Sequence, residues 1–277
     1  MPATTSSVDL FDTHCHTHEM VQRITPVYDK WHSDGLERTP ESTIAAAHEA
    51  GVGRMLCIGT SLADSELAID FVTDKEQMWA SIGIHPHEAA VALAGGHLDA
   101  FRSLVGRPKV VAVGECGLDY FYEHSPREAQ IKVLKAQIEL ALEHHLPLSF
   151  HVREAFDDFW PIFDSYRGAD LRGVLHSYTD TLANLEQAVK RGLYVGVNGI
   201  ATFAKHDDQL AMYKAIPKEL LVLETDAPFL TPVPFRGKVC ESKHVRVTAA
   251  FVADLRGETL GSLAASTTGN ARRLFKV

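Results

Sequence analysis

Eight short apolar runs, separated by helix-patterned stretches, constrain this sequence more than any other feature. The runs cover residues 8–16, 54–60, 78–85, 110–118, 146–153, 173–178, 193–198 and 220–226. The clearest helical patterns lie at 40–50, 63–73, 126–144 and 182–191, with another at 242–255 after the last run. Pro40 and Pro126 occupy first-turn positions, and Gly51 and Gly192 stand where helices stop. Regular alternation of strand and helix is the pattern of parallel βα units. Eight such units in 277 residues predict an α/β fold, a (β/α)8 TIM-type barrel, regular or distorted, as one domain over 1–277. An open doubly wound sheet also accommodates eight strands, but no G-x-G-x-x-G follows the first run.

One connection breaks the rhythm. Residues 17–39 separate the first strand from its helix and carry Tyr28, Trp31 and His32. A loop of that length is functional or mobile more often than not. It reads either as a surface flap packed by its own aromatics or as a lid over the barrel mouth.

Apolar residues make up 45% of the chain, enough to fill a core. No stretch approaches the roughly 18 apolar residues that span a bilayer, and the first residues lack a secretory pattern. The expectation is a soluble, cytoplasmic protein with no membrane contact and no obligate protein partner. The four cysteines, Cys15, Cys57, Cys116 and Cys240, form no C-x-x-C pair, so they are expected to be small buried side chains. A net charge of −9 argues against broad capture of nucleic acid by a basic surface. It does not exclude a phosphate substrate, because divalent cations reverse the field inside a pocket.

Polar residues gather at the C-terminal ends of the predicted strands, the face on which barrels build their sites. The first strand ends Asp12-Thr-His-Cys-His16. Residues two apart on a strand share a side, so His14 and His16 project together as two ligands to one metal would. Asp12, in phase with both, would accept a ring N–H or serve as a turn residue. Glu115 ends the fourth apolar run. An unpaired carboxylate there would be costly, so it would bridge two cations or pair with a cation across the barrel. His151 and Arg153 share a face on the fifth strand, where guanidinium suits a phosphate or carboxylate. His176 ends the sixth strand as a ligand or a core histidine. Glu224 and Asp226 share a side of the eighth, where Asp226 would bind a metal or its water. Together these residues end strands one, four, five, six and eight on one predicted rim. Four histidines and two carboxylates suit zinc, manganese or similar ions better than magnesium alone.

Five strings occur in order: Asp12-Thr-His-Cys-His16, Gly83-Ile-His-Pro-His87, Gly114-Glu-Cys-Gly-Leu-Asp-Tyr120, His151-Val-Arg153 and Glu224-Thr-Asp-Ala-Pro228. With these, the chain from Val8 to Phe275 resembles the TatD-like metal-dependent deoxyribonucleases of the amidohydrolase superfamily. Asn270-Ala-Arg-Arg-Leu-Phe275 is similar to that family's C-terminal helix. The resemblance implies two divalent ions (Zn, Mn or Mg). One would be held by His14, His16, Glu115 and Asp226, the other by Glu115, His151 and His176, with Glu115 bridging. It implies that Asp226 acts catalytically by orienting or deprotonating the attacking water. It places His85 near the site outside the ligand set, and Arg153 as a phosphate contact.

The chain departs from the family pattern where Glu154-Ala155 follows Arg153, where Asp180 stands for glycine, in 236–243, and in the length of 17–39. None of these touches the six ligands. The first expectation is hydrolysis of phosphodiester bonds in DNA, at a single-stranded or frayed end, with Arg153 on a flanking phosphate and Lys205 or Arg236 as further candidates. The alternative keeps the metal centre and changes the bond, to an amide or ester, D-aminoacyl-tRNA included. A binding protein with a vestigial site is opposed by the complete ligand set.

Overall fold

In the computed structural model, which describes residues 8–22, 25–166 and 168–277, eight parallel strands form one sheet in sequence order. They are β1 (Leu10–Cys15), β2 (Val52–Ile58), β3 (Met78–Ile82), β4 (Val110–Asp119), β5 (Leu148–Arg153), β6 (Gly173–Leu175), β7 (Tyr194–Val197) and β8 (Leu221–Leu223). Every predicted strand is present. The sheet curls round until the chain beyond β8 meets β1. His16 N donates to Ala227 O at 2.8 Å, and Asp226 N donates to His14 O at 2.8 Å. Cys15 and Ala227 form the bridge between these ends. The predicted (β/α)8 barrel is therefore the observed architecture.

Helices cover the outside: α1 (Pro26–Trp31), α2 (Pro40–Glu49), α3 (Leu62–Val72), α4 (Ala89–Ala94), α5 (His97–Arg102), α6 (Arg127–Glu143), α7 (Phe156–Ser165), α8 (Leu182–Lys190), α9 (Asp207–Ala215), α10 (Val245–Arg256) and α11 (Leu260–Phe275). Their starts follow local chemistry. The Thr39 hydroxyl accepts from Ser42 N, the Ser42 side chain answers the Thr39 backbone, and Pro40 sits in the first turn of α2. Asp180 accepts from Thr181 N and Asn184 Nδ2, both at 2.7 Å, so this departure from the family glycine braces the start of α8. Gly51 ends α2 at φ +81°, packed against the Val8 carbonyl where a Cβ has no room.

A small apolar cluster joins Phe11, Leu56, Ile58, Ala112, Val174 and Val222 to Leu274 and Phe275 of α11. It draws on β2, β4, β6 and β8 with β1, the alternate-strand layering of a barrel interior. The larger cluster fills the space between sheet and helices and takes in Cys15, Cys57, Cys116 and Cys240, which are all free and buried as expected. No helix among the described residues is long and apolar enough to cross a membrane.

The long connection after β1 is not a structureless flap. A 3-10 turn at Thr17–Val21 precedes α1, and the fully buried Trp31 donates its indole N–H to His16 O at 3.0 Å. Residues 23 and 24 of this connection lie outside the described residues.

Candidate metal centre

The strand-end residues converge on Glu115. Its two oxygens face different partners. Oε2 lies 3.4 Å from His14 Nε2, while Oε1 lies 2.7 Å from His151 Nδ1, 3.6 Å from His85 Nε2 and 3.9 Å from His176 Nε2. Asp226 Oδ1 sits on the other side, 3.4 Å from His16 Nε2, 3.6 Å from His14 Nε2 and 3.9 Å from His176 Nε2. The rings of His14 and His176 stack at 3.5 Å. Donor atoms of His14, His16 and Glu115 lie within 4.8 Å of one another, as do those of His14, His176 and Asp226, and those of His85, Glu115 and His151. All six side chains proposed as ligands are therefore brought together, and His85 joins them at ligand distance.

Local backbone explains how neighbouring residues reach one centre. Register shifts fall between Asp12 and Cys15 in β1 and between Val113 and Cys116 in β4. Such irregularities re-aim side chains beside active sites. Asp12 and His14 thus do not share a task. Asp12 is fully buried and accepts from Thr225 N at 2.8 Å and Thr225 Oγ1 at 2.6 Å. It meets no imidazole N–H; it accepts from His14 N at 3.4 Å and ties β1 to the chain after β8. Asp226 adopts φ +62° and Ser177 φ +50°, a region unfavourable to side-chain-bearing residues. Strain of that kind clusters at functional sites.

Electrostatics bind the set together. Burial alone would raise the Glu115 carboxyl, but His85, His176, His14 and His151 reverse this and hold it well below the ordinary value. Burial likewise opposes the charge on His16, His151 and His176. Asp226 nevertheless raises His16 to about 10, Asp119 and Glu115 raise His151 to about 9, and Glu224 and Glu115 raise His176 to about 9. His85 goes the other way, to about 3, because burial dominates. Both ring nitrogens of His14 are buried without a hydrogen-bond partner, which is costly unless a metal takes one. The donor set, imidazole plus carboxylate around a central two-oxygen acid, fits a pair of divalent cations.

An outer ring of carboxylates orients the imidazoles. Asp119 Oδ2 lies 3.1 Å from His151 Nε2 and 3.0 Å from His87 Nε2, and its Oδ1 accepts from Phe121 N and Tyr122 N. Glu224 Oε1 lies 3.0 Å from His176 Nδ1 and accepts from Ser177 N at 2.6 Å. Partners of this sort fix the tautomer and ring angle of ligating histidines. Sequence reasoning left Asp119 and His87 without a role. Both stand in strings that the sequence displays, Gly-Leu-Asp and His-Pro-His, but the pairing of Asp119 with His151 and His87 crosses between elements and has no local signal. Arg153 is exposed, with its guanidinium 4.1 Å from the centre of the Phe121 ring and 4.8 Å from that of Tyr122. It also lines a cavity of about 270 Å³ shared with His176, Tyr178 and Asp180.

The family model for the TatD-related DNases matches residues 11–276. The chain belongs to the TatD-related DNase family. It is 32% identical to the uncharacterized metal-dependent hydrolase YabD of Bacillus subtilis, covering 97% of this chain and 99% of that one. It is 36% identical to the 3'-5' ssDNA/RNA exonuclease TatD of Erwinia tasmaniensis, over 86% of this chain and 93% of that protein. Among solved structures it is similar to the TatD homologue YJJV of Escherichia coli, at 26% identity and a TM-score of 0.81, covering 97% and 98% of the two chains. A TatD-family hydrolase from Entamoeba histolytica shares the fold at a TM-score of 0.82 and 20% identity, over 98% and 99%. As a TatD-related protein the chain is a metal-dependent hydrolase.

Proposed function

We propose that this protein hydrolyses phosphodiester bonds of single-stranded or frayed DNA, using two divalent cations held by His14, His16, Glu115, His151, His176 and Asp226. The observation that carries the reading is the division of Glu115, with one oxygen toward His14 and the other toward His151 and His176. A carboxylate so placed can serve two cations at once. When bound, the ions would act as Lewis acids on the phosphoryl group and lower the pKa of a water.

The chain's own residues do the rest. Asp226 has the more accessible carboxylate of the pair, 16% exposed against 6% for Glu115. It is the group to receive the proton of the attacking water at its carboxylate. Glu115, held well below the usual carboxylate range, stays an anion and a ligand. His85, kept neutral at working pH, donates or accepts at Nε2 without adding charge. Arg153 stands at the cavity wall to bind a phosphate through its planar fork. The relatives named as ssDNA/RNA exonucleases support nucleic acid over the amide or ester alternative. A cytoplasmic location is consistent with this substrate and is proposed with it.

The test is add-back. Chelated protein is incubated with end-labelled single-stranded DNA, and single divalent ions are restored one at a time. Metal-dependent release of nucleotides is expected, and its loss in His151→Ala and Asp226→Ala. Full activity in either variant, or turnover of ester and amide substrates alone, would overturn the assignment.

A further inference from the structure

Behind His16 lies a second group of metal-type donors, three of which the binuclear reading does not use. Ligand atoms of His16, His18, Glu19 and Asp64 lie within 4.8 Å of one another, and all four residues are buried. His18 and Glu19 belong to the 3-10 turn after β1, and Asp64 to the first turn of α3. His18 Nε2 lies 2.9 Å from Asp64 Oδ1, while Asp64 Oδ2 accepts from Thr60 N at 2.8 Å and Thr60 Oγ1 at 2.9 Å. One oxygen of Asp64 is thus spoken for by β2's exit, and the other faces His18.

Glu19 supplies the second, independent observation. Its residue is 4% exposed, and among the described residues Oε2 has no hydrogen-bond partner. The Nδ1 atom of His18 is equally buried and unpartnered. Among the described residues no lysine or arginine pairs with Glu19 or Asp64. Two buried carboxylates within ligand distance of each other repel, and burial raises the cost of both charges. A divalent cation removes both costs at once.

We propose that His18, Glu19 and Asp64 form a third cation site, for a first-row divalent ion such as Mn²⁺ or Zn²⁺, separate from the binuclear centre. One imidazole nitrogen and two carboxylates suit those ions. None of the three donors is among the six assigned to catalysis. The ion fastens the turn after β1 to α3. Trp31 grips the His16 carbonyl, His16 Nδ1 lies 3.1 Å from Ile58 O, and the ring of His18 stands 6.0 Å from that of His16, so the ion would fix the turn on which His16 is mounted. The site is structural: it holds a ligand of the reactive pair in place.

The test counts and locates ions in the intact protein. Wild type and Glu19→Gln are equilibrated with Mn²⁺ alone, freed of excess ion, and assayed for metal. Crystals of the Mn²⁺-loaded wild type are measured for anomalous scattering. Three ions per chain are expected in the wild type and two in Glu19→Gln, with an anomalous peak among His18, Glu19 and Asp64. Peaks beside Glu115 only would overturn the third site and leave the binuclear centre standing. A peak at His18 without a pair beside Glu115 would sink the binuclear reading and leave this one. Should Glu19→Gln fail to fold, the wild-type peak alone decides.

Discussion

His176 Nδ1 lies 3.0 Å from Glu224 Oε1, and both side chains are buried at the end of the barrel. Glu224 also accepts the Ser177 N–H, so its carboxylate holds the strained residue after His176 and stands as a charge partner beside the ring. Glu224→Gln keeps the shape and removes the charge. Cation affinity should fall about 10–100-fold, the usual cost of losing such a partner. Competition with a metallochromic chelator measures it. An unchanged affinity would show that Glu224 does not act through His176.

Arg153 should matter for polymers and not for small substrates. It lines the cavity beside His176, and Phe121 and Tyr122 hold its guanidinium. Arg153→Ala should lower kcat/KM on single-stranded oligonucleotides about 10-fold or more, equivalent to one charged hydrogen bond of roughly 1.5–3 kcal/mol. Turnover of a small chromogenic phosphodiester should change little. Equal loss on both substrates would place Arg153 in the fold or the chemistry.

The pH response should differ with and without metal. His16, His151 and His176 rise to about 10, 9 and 9, from an unfolded value near ~6.5. A raised histidine contributes stability that is full below the unfolded pKa and is lost as pH rises through the folded one. Chelated protein should therefore lose thermal stability between about pH 6.5 and 10. Metal must displace those protons, so affinity should climb over the same window. Calorimetry in buffers of different ionisation enthalpy would detect the released protons. No proton release near neutral pH would contradict the assignment of these imidazoles as ligands.

Asp12 should be a stability residue. It satisfies Thr225 N and Oγ1 in a fully buried setting. Asp12→Ala strands those donors and should cost about 1–3 kcal/mol, read by urea unfolding. Asp12→Asn, which retains an acceptor, should cost less. A neutral Asp12→Ala variant would show that the link between β1 and the chain after β8 is dispensable.

Strand periodicity made the barrel legible, because eight apolar runs and their separating helices admit few topologies. The convergence of the proposed ligands was legible for the same reason: donors placed at strand ends must open on one rim. The partners of those ligands were not. Pairings such as Glu224 with His176 and Asp119 with His151 cross between strands, and no local pattern encodes them. The shifts in β1 and β4 break the two-residue period, so the phase argument that joined Asp12 to His14 failed. Helix α7 has apolar residues at 156, 159, 160 and 163, the spacing of one helix face, but Pro161 inside it reads as a breaker. Short helices α1, α4 and α5 are held by their neighbours more than by their own pattern.

The central claim is that one carboxylate joins two ions, and the spectrum of the manganese-loaded enzyme tests it most directly. Electron paramagnetic resonance of protein carrying Mn²⁺ should show the closely spaced hyperfine lines of an exchange-coupled pair, and Glu115→Ala should abolish them. A wild-type spectrum without the coupled lines, and unchanged by loss of Glu115, would contradict the account; an added uncoupled signal from the His18 site would not.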